Sequence, residues 1–300
     1  MYHKKMKAVI PVYDICTLSH QQKDDIFISR FAPYLKSHKN LHLAHKHSFY
    51  HLVFFTKGGG MQTIDFENFP VKPFQIYFMV PGQVHSWDFK GEVDGYIINF
   101  STTFFQSFLL KANYLDDLPF FAGIVKDAVI DIPKDLQSKV ISLFEDLVAE
   151  NETINPLGVD MARAIMLQLF IDVARLKIDA PGAIAPSYNY TLLRSFQKLI
   201  ESNYMQLRLP KQYAELLYIT PNHLNALCND VLGIPAGEVI RNRITLEAKR
   251  LLINHEMTIL EIANHLNFAD NSYFSKFFKK QEGITPEEFR KRSDNHVHLN

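Results

Sequence analysis

TILEIANHLNFADNSYFSKFFKKQEGITPEEF, residues 258–289, writes out two short helices, their caps and the start of a third. Thr258 is a good N-cap and Glu261 stands three positions on. That is the spacing of a capping box, in which hydroxyl and carboxylate each take an amide proton at the helix start. Ile259, Ile262, Ala263 and Leu266 then fall on one helical face. The helix breaks at Asn267-Phe268-Ala269, where Asn is the non-glycine residue best able to turn left-handed. Asp270 caps a second helix, whose Phe274, Phe277 and Phe278 recur at i, i+3 and i+4, and Gly283 ends it. Thr285-Pro286-Glu287-Glu288 repeats the cap with Pro at the first helical position, so a third short helix follows.

A helix, a tight turn and a second helix sharing one apolar stripe read as a helix-turn-helix, whose second helix lies in the major groove of DNA. That helix turns Ser272, Ser275, Lys276 and Lys279 away from its phenylalanines. Hydroxyls and amines on a free face suit base edges and phosphates. Two core-packing helices with solvated polar faces would show the same pattern, so this stretch alone does not decide.

The decision comes from upstream. Leu192, Phe196, Leu199 and Ile200 mark one helix, residues 211–218 form the next, and Thr220 with Pro221 opens another with Leu224, Leu227 and Val231 inward and Gly233 at its end. A long helix is predicted from about 236 to 254, bearing Val239, Ile240, Ile244, Ala248, Leu251 and Leu252. Leu224 and Phe274 are fifty residues apart, as are Gly233 and Gly283, and Pro235-Ala236-Gly237-Glu238 corresponds to Thr285-Pro286-Glu287-Glu288. Ala214 and Ala263 are forty-nine apart, so the second copy has one extra residue in its turn. Chance amphipathic patterning does not produce such a repeat. Two helix-turn-helix units joined by a long helix point to double-stranded DNA as partner.

Three hundred residues leave room for two domains with separate cores. The 32 basic and 32 acidic residues balance, so overall charge supplies no pull toward a polyanion and DNA binding must come from local arrangement. Cys16 and Cys228 make neither a disulfide framework nor a metal-ligand spacing, which fits a reducing compartment. The basic start MYHKKMK precedes no apolar run of signal-peptide length, and no segment has the roughly 18 uninterrupted apolar residues of a membrane span. The expectation is a soluble cytoplasmic protein with no membrane partner.

Most of the 24 phenylalanines precede Ser187, so the larger core is N-terminal. Residues 8–13 and 26–31 read as short extended pieces. From Ser48 the pattern is β: FYHLVFFT, the glycines 58–60, MQTIDF, a turn near Glu67-Asn68, FQIYFMV, Pro81-Gly82, QVHSWDF, a turn at Lys90-Gly91, and DGYIINF. Short strands separated by turn signals argue for a sandwich or barrel. Apolar residues on both faces of FYHLVFFT and FQIYFMV predict a sheet covered outside as well as filled within. After Ser101 the signal turns helical, with one stripe of Leu136, Val140, Leu143, Phe144 and Leu147 and another of Met161, Ile165, Leu169, Val173 and Leu176. Such helices pack on the barrel or against a second copy of the chain. DAPGAIAPSYN, residues 179–189, is the expected linker.

Residues 243–292, RITLEAKRLLINHEMTILEIANHLNFADNSYFSKFFKKQEGITPEEFRKR, closely resemble the C-terminal signature of the AraC/XylS family of bacterial transcription regulators. The resemblance extends back to about residue 190 and is most specific from 243 on. It implies two helix-turn-helix subdomains that place their recognition helices in adjacent major grooves, one helical turn apart. The family's base-contacting positions fall on Asn222, Asn225 and Ala226 in the first unit and on Asn271, Ser272, Ser275 and Lys276 in the second. Two departures matter. Asn267 replaces the usual Gly of the second turn and is expected to preserve it. Ala226 and Lys276 stand where Arg is frequent, so the first unit loses a long donor and the second has one ammonium in place of a bidentate fork. Asn222 and Asn225 remain able to pair with adenine, which predicts weaker, more A·T-directed readout by the first unit.

Residues 45–100 resemble the cupin-type sensor barrel that many members of this family carry. His45, His47 and His51 followed by Gly58, with His85 three residues after Gly82, are similar to the two short cupin motifs, although metal-binding cupins usually have Glu where His51 stands. The spacing H-x-H-x3-H puts three imidazoles on one side of an extended segment, and with His85 they form a set that zinc, iron or copper accepts. A histidine lining a barrel more often bonds an organic ligand or a neighbouring carbonyl, so no cofactor and no metal is assigned. These four histidines, with Tyr50, Tyr77 and Trp87, are instead the candidate lining of an effector pocket, and core packing accounts for each aromatic as well.

The expected architecture is multi-domain α and β. Residues 1–178 form a cupin-like sensing and dimerisation domain, with the barrel over about 8–100 and helices over about 101–178. Residues 190–300 form an all-α domain with two helix-turn-helix units joined by a long helix. The expected function is a homodimeric transcription regulator in which a small molecule in the barrel changes how two DNA-binding domains are held. Such a ligand must bind one arrangement better than the other. A barrel that only dimerises is one alternative. A metal-dependent cupin enzyme with a DNA-binding tail is another, disfavoured because no paired carboxylates accompany the histidines and Phe89 stands at the second motif's late polar position. The chain is therefore not read as an enzyme.

Overall fold

A computed structural model describes residues 10–18, 25–106, 108–109, 114–152, 156–178, 188–254 and 256–297, divided into two units. The N-terminal unit runs β1 (Val12–Tyr13), α1 (Ile15–Leu18), β2 (Ile26–Arg30), α2 (Phe31–Ser37), β3 (His45–His47), β4 (Tyr50–Lys57), β5 (Gly60–Ile64), β6 (Glu67–Pro70), β7 (Gln75–Met79), β8 (Val84–Phe89), β9 (Asp94–Phe100), β10 (Val129–Asp131), α3 (Lys134–Glu152) and α4 (Gly158–Ile178). Its strands lie in two sheets, ordered β1-β3-β8-β5-β6 and β10-β7-β4-β9-β2.

Side-chain alternation explains the layering. Along β4, Val53 and Phe55 join Ile64, Tyr77, Met79, Trp87 and Ile97 in a core between the sheets. Leu52 and Phe54 belong to a second core with Ile76, Phe78 and Ile98 on the outer face of the same sheet. Val140, Phe144 and Leu147 of α3 and Met166, Leu169 and Val173 of α4 close that second core. The sheet holding β4 and β7 is thus buried on both faces, which is why its strands carry apolar residues at consecutive positions.

The structure corrects the sequence reading in this unit. The turn expected near Glu67-Asn68 falls at Asp65-Phe66, and Glu67 opens β6. Both turn residues are left-handed, with φ of 45° and 74°. Phe is a poor residue for that conformation, and tertiary bonds hold it: the buried Asp65 carboxylate accepts the Val84 N–H at 3.1 Å and Gln83 Nε2–H at 3.0 Å. The described part of 101–131, read as helical, holds turns and short 3-10 segments and then β10, which lies antiparallel to β7 with Val129 opposite Tyr77. In α4 the buried stripe is Ala162, Met166, Leu169, Phe170, Val173 and Ala174, and Met161 is 49% exposed.

The C-terminal unit runs α5 (Tyr188–Asn203), α6 (Pro210–Leu216), α7 (Pro221–Leu232), α8 (Ala236–Ile253), α9 (Ile259–His265), α10 (Asn271–Glu282) and α11 (Pro286–Val297). Residues 179–187 of the expected linker lie outside the described residues, while Tyr188 and Asn189 already belong to α5. Ile240, Ile244, Ala248 and Leu252 run along α8 into one core shared with Leu224 and Leu227 of α7, Ile262 of α9, and Phe274 and Phe278 of α10. The predicted caps form: Thr220 accepts the His223 N–H, Thr258 and Glu261 bond reciprocally, and Asp270 accepts the Tyr273 N–H. Gly233 and Gly283 close α7 and α10 with φ of 71° and 78°.

Candidate DNA-reading helices and the histidine-lined barrel

The two helix-turn-helix turns are built alike. After α6, the Ile219 N–H bonds the Ala214 carbonyl at 3.0 Å; after α9, the Phe268 N–H bonds the Ala263 carbonyl at 2.9 Å. The left-handed residue is Tyr218 in the first turn and Asn267 in the second, both with φ of 56°. Asparagine therefore does the work of the usual glycine. The extra residue of the second copy is Ala269, between the left-handed residue and the cap.

Exposure divides the candidate DNA contacts. Asn222 and Ala226 of α7 and Asn271, Ser272, Lys276 and Lys279 of α10 are exposed. Asn225 and Ser275 are half-buried. Asn225 Oδ1 accepts the Ala236 N–H at 3.1 Å, and Ser275 Oγ donates to Asn271 Oδ1 at 3.4 Å. The sequence reading passed over His223, Tyr273 and Lys280, which are exposed on the same two helices. The fifty-residue offset pairs His223 with Tyr273 and could have found those two. Charge separates the units: α10 carries three lysines and one glutamate, whereas α7 has one aspartate and no lysine or arginine.

In the N-terminal unit, His45 of β3 pairs across the ladder with His85 of β8. His47 lies two residues along β3, and His51 comes from β4 in the facing sheet. All four are buried. Ring centroids are 4.2 Å apart for His45 and His85, 4.7 Å for His47 and His85, and 4.7 Å for His47 and His51. A ring nitrogen beside a carbonyl oxygen must be the donor. His45 Nδ1–H donates to the Leu43 carbonyl at 2.7 Å, His85 Nδ1–H to the Gln83 carbonyl at 3.3 Å, and His51 Nδ1–H to Asn99 Oδ1 at 2.7 Å. Their Nε2 atoms, both nitrogens of His47, Gln62 Oε1 and Trp87 Nε1 are buried without a hydrogen-bond partner among the described residues.

Burial favours neutral imidazole. Burial brings His45 down to about 4 against the pull of the Leu43 carbonyl, and His51 down to about 3 against that of Asn99. His47 and His85 are lowered well below their usual value, first by burial and then by the neighbouring histidines.

Of the candidate aromatics, Trp87 and Tyr77 sit in the inter-sheet core, with the Tyr77 hydroxyl 3.0 Å from Gln75 Oε1. Tyr50 does not. It stacks on Phe100 at 4.9 Å and meets Phe121 edge-on at 5.0 Å, within the helix-covered layer. With His51 facing inward, strand alternation sends Tyr50 outward. Gln62 and Asn99 join the interior without any local signal, because strand pairing alone brings them there.

A chain that carries both a doubled helix-turn-helix and a double-sheet barrel has the parts of a DNA-binding regulator with a ligand-binding domain. Residues 32–159 match the AraC-like ligand binding domain, and residues 213–292 match a helix-turn-helix domain. The chain is 22% identical over 274 residues to the HTH-type transcriptional activator RhaR of Cronobacter sakazakii, an alignment covering 90% of this chain and 95% of that one. It is 27% identical over 138 residues to the uncharacterized HTH-type transcriptional regulator YpdC of Escherichia coli, covering 46% of this chain and 48%, about half, of that one. Among solved structures, unsaturated fatty acid bound ToxT from Vibrio cholerae is 13% identical over 91% of this chain and 97% of that chain, with a TM-score of 0.44. The chain belongs to the AraC family of helix-turn-helix transcriptional regulators, whose members named here are regulators and not enzymes.

Proposed function

We propose that this regulator reads operator DNA with α7 and α10 in successive major grooves, and that a small molecule held between the barrel sheets changes that binding. The observation that carries the DNA reading is the repeated turn geometry, which presents Asn222 and Ala226 on one helix and Asn271, Ser272, Lys276 and Lys279 on the other as exposed side chains. Hydroxyl and amide groups read base edges, and the lysines add phosphate contacts. The effector reading is supported by Gln62 Oε1, Trp87 Nε1 and the histidine nitrogens. Among the described residues Gln62 Oε1, Trp87 Nε1, Nε2 of His45, His51 and His85, and both nitrogens of His47 are buried polar atoms with no hydrogen-bond partner. Residues 1–178 act as the sensing domain, 179–189 as the link and 190–300 as the reader, in the cytoplasm where the DNA lies.

A homodimer is part of this proposal. Met161 and Ile171 are 49% and 37% exposed on the side of α4 opposite its buried stripe, and Leu157, just before the helix, is 68% exposed. An outward apolar stripe on a helix is a surface that a second copy covers. Selection of bound DNA from a random pool, repeated with metabolite mixtures, tests both halves. Enrichment of two half-sites about 10 base pairs apart supports the bipartite reader, and a pool without enrichment contradicts it. A barrel that only dimerises is separated by thermal stabilisation, since a ligand at a hundredfold its Kd adds about 3 kcal/mol.

A further inference from the structure

We propose that the barrel holds a divalent first-row transition-metal ion, bound by the imidazoles of His45, His47 and His85, with His51 reaching the same ion from the facing sheet. The candidate ligand atoms of the first three all lie within 4.8 Å of one another. Around a tetrahedral zinc, with Zn–N of about 2.0–2.1 Å, nitrogens stand about 3.3 Å apart. His51 lies beside it, its ring centroid 4.7 Å from that of His47.

Hydrogen bonding points the same way. Metal-bound histidines characteristically donate their second ring N–H to a carbonyl or carboxylate, which orients the ring and fixes the tautomer. His45 and His85 do so to Leu43 and Gln83, and His51 does so to the amide oxygen of Asn99. Each bond leaves Nε2 as the lone-pair nitrogen, and each Nε2 is buried with no partner among the described residues. With both nitrogens of His47, five ring nitrogens are unpaired in one place. Buried polar atoms are normally paired, and leaving one unpaired is costly. Histidines serving only as core would sit among partners, or apolar residues would replace them.

The donor set selects the ion. It is all imidazole, with no carboxylate among the four, and oxygen-seeking calcium and magnesium are poorly served by it. Zinc, copper, nickel and ferrous iron accept it. The proposal names an occupant for the barrel already read as a sensor, and rests on that reading only for what occupancy does to DNA binding.

The test uses the full chain, stripped with a chelator and dialysed, then titrated with Zn2+ and with Co2+ as a spectroscopic stand-in. One equivalent of zinc retained through gel filtration is expected. X-ray absorption of the zinc form should show at least three imidazole nitrogens, and the cobalt form should show the intense visible bands of a four-coordinate site. His45→Gln, His47→Gln and His85→Gln are each expected to weaken zinc binding by about 100-fold. Should a variant fail to fold, absorption on the unaltered chain still decides. No retained metal, fewer than three imidazole nitrogens bound to the ion, or undiminished affinity in a folded triple variant would overturn the site. Operator affinity of the stripped and zinc-loaded chains is measured separately. Equal affinities would refute metal as the effector and leave the spectroscopic result standing.

Discussion

The side-chain oxygen of Asn225 accepts the backbone N–H of Ala236 at 3.1 Å, fastening α7 to the first turn of α8. Pro235, the N-cap of α8, makes no side-chain cap bond of its own. Asn225 therefore caps a helix it does not belong to. An asparagine that reads adenine needs both its oxygen and its nitrogen, and here the oxygen is committed. Asn225→Ala is expected to destabilise the C-terminal unit by about 1–2 kcal/mol, visible as a lower Tm, while the ranking of operator sequences stays the same. Asn222→Ala should do the reverse. A changed ranking in a fully stable Asn225→Ala protein would show that the side chain leaves its cap to meet DNA.

Cations are concentrated on α10. Lys276→Ala should reduce discrimination among operators by about 1–3 kcal/mol, whereas Lys279→Ala, if it meets phosphate, should weaken all sequences alike and lower the salt slope by about one. Because α7 carries no lysine or arginine, removing all three α10 lysines should abolish most of the slope contributed by recognition helices. Fluorescence anisotropy at several salt concentrations measures this. Identical changes for Lys276 and Lys279 would mean the assignment of faces is incorrect.

The phenylalanine stripe of α10 is uneven. Phe274 and Phe278 have no exposed surface, and Phe277 is only partly buried, with its ring centroid 5.1 Å from that of Phe268. Phe278→Ala should cost roughly 3–5 kcal/mol, and Phe277→Ala distinctly less. Denaturant melts of the two variants give the comparison, and equal losses would argue against this packing.

Arg208 ties the segment before α6 to the second helix-turn-helix. Its guanidinium lies 4.0 Å from the centroid of the Phe268 ring and donates to the carbonyl oxygens of Leu266 and Asn267. A cation on the last carbonyls of a helix satisfies acceptors that the helix cannot. Arg208→Met keeps the stem and removes the fork. A loss of about 1–3 kcal/mol is expected, together with faster hydrogen exchange at Asn267 and Phe268. Unchanged exchange there would show that the turn stands on its own backbone bonds.

The metal candidates show how far spacing reaches. H-x-H-x3-H placed three histidines on one side of the chain, yet no metal was assigned from it, because a histidine lining a barrel more often bonds an organic ligand or a carbonyl, and spacing does not reveal whether a ring nitrogen has a partner. Partners come from Leu43, Gln83 and Asn99. Asn99 is forty-eight residues from His51, and nothing local announces it.

By itself the sequence determined the C-terminal unit: Thr220, Thr258, Asp270, Gly233 and Gly283 act within a few residues of themselves, so caps, turns and the fifty-residue repeat are written locally. Tertiary structure alone decided the barrel's register, the outward face of Tyr50, the left-handed turn at Asp65-Phe66, the strand at 129–131 and the engagement of Asn225. Each of these depends on a partner distant in the chain. A strand that is apolar on both faces looks the same in either register, and only its neighbours choose between them.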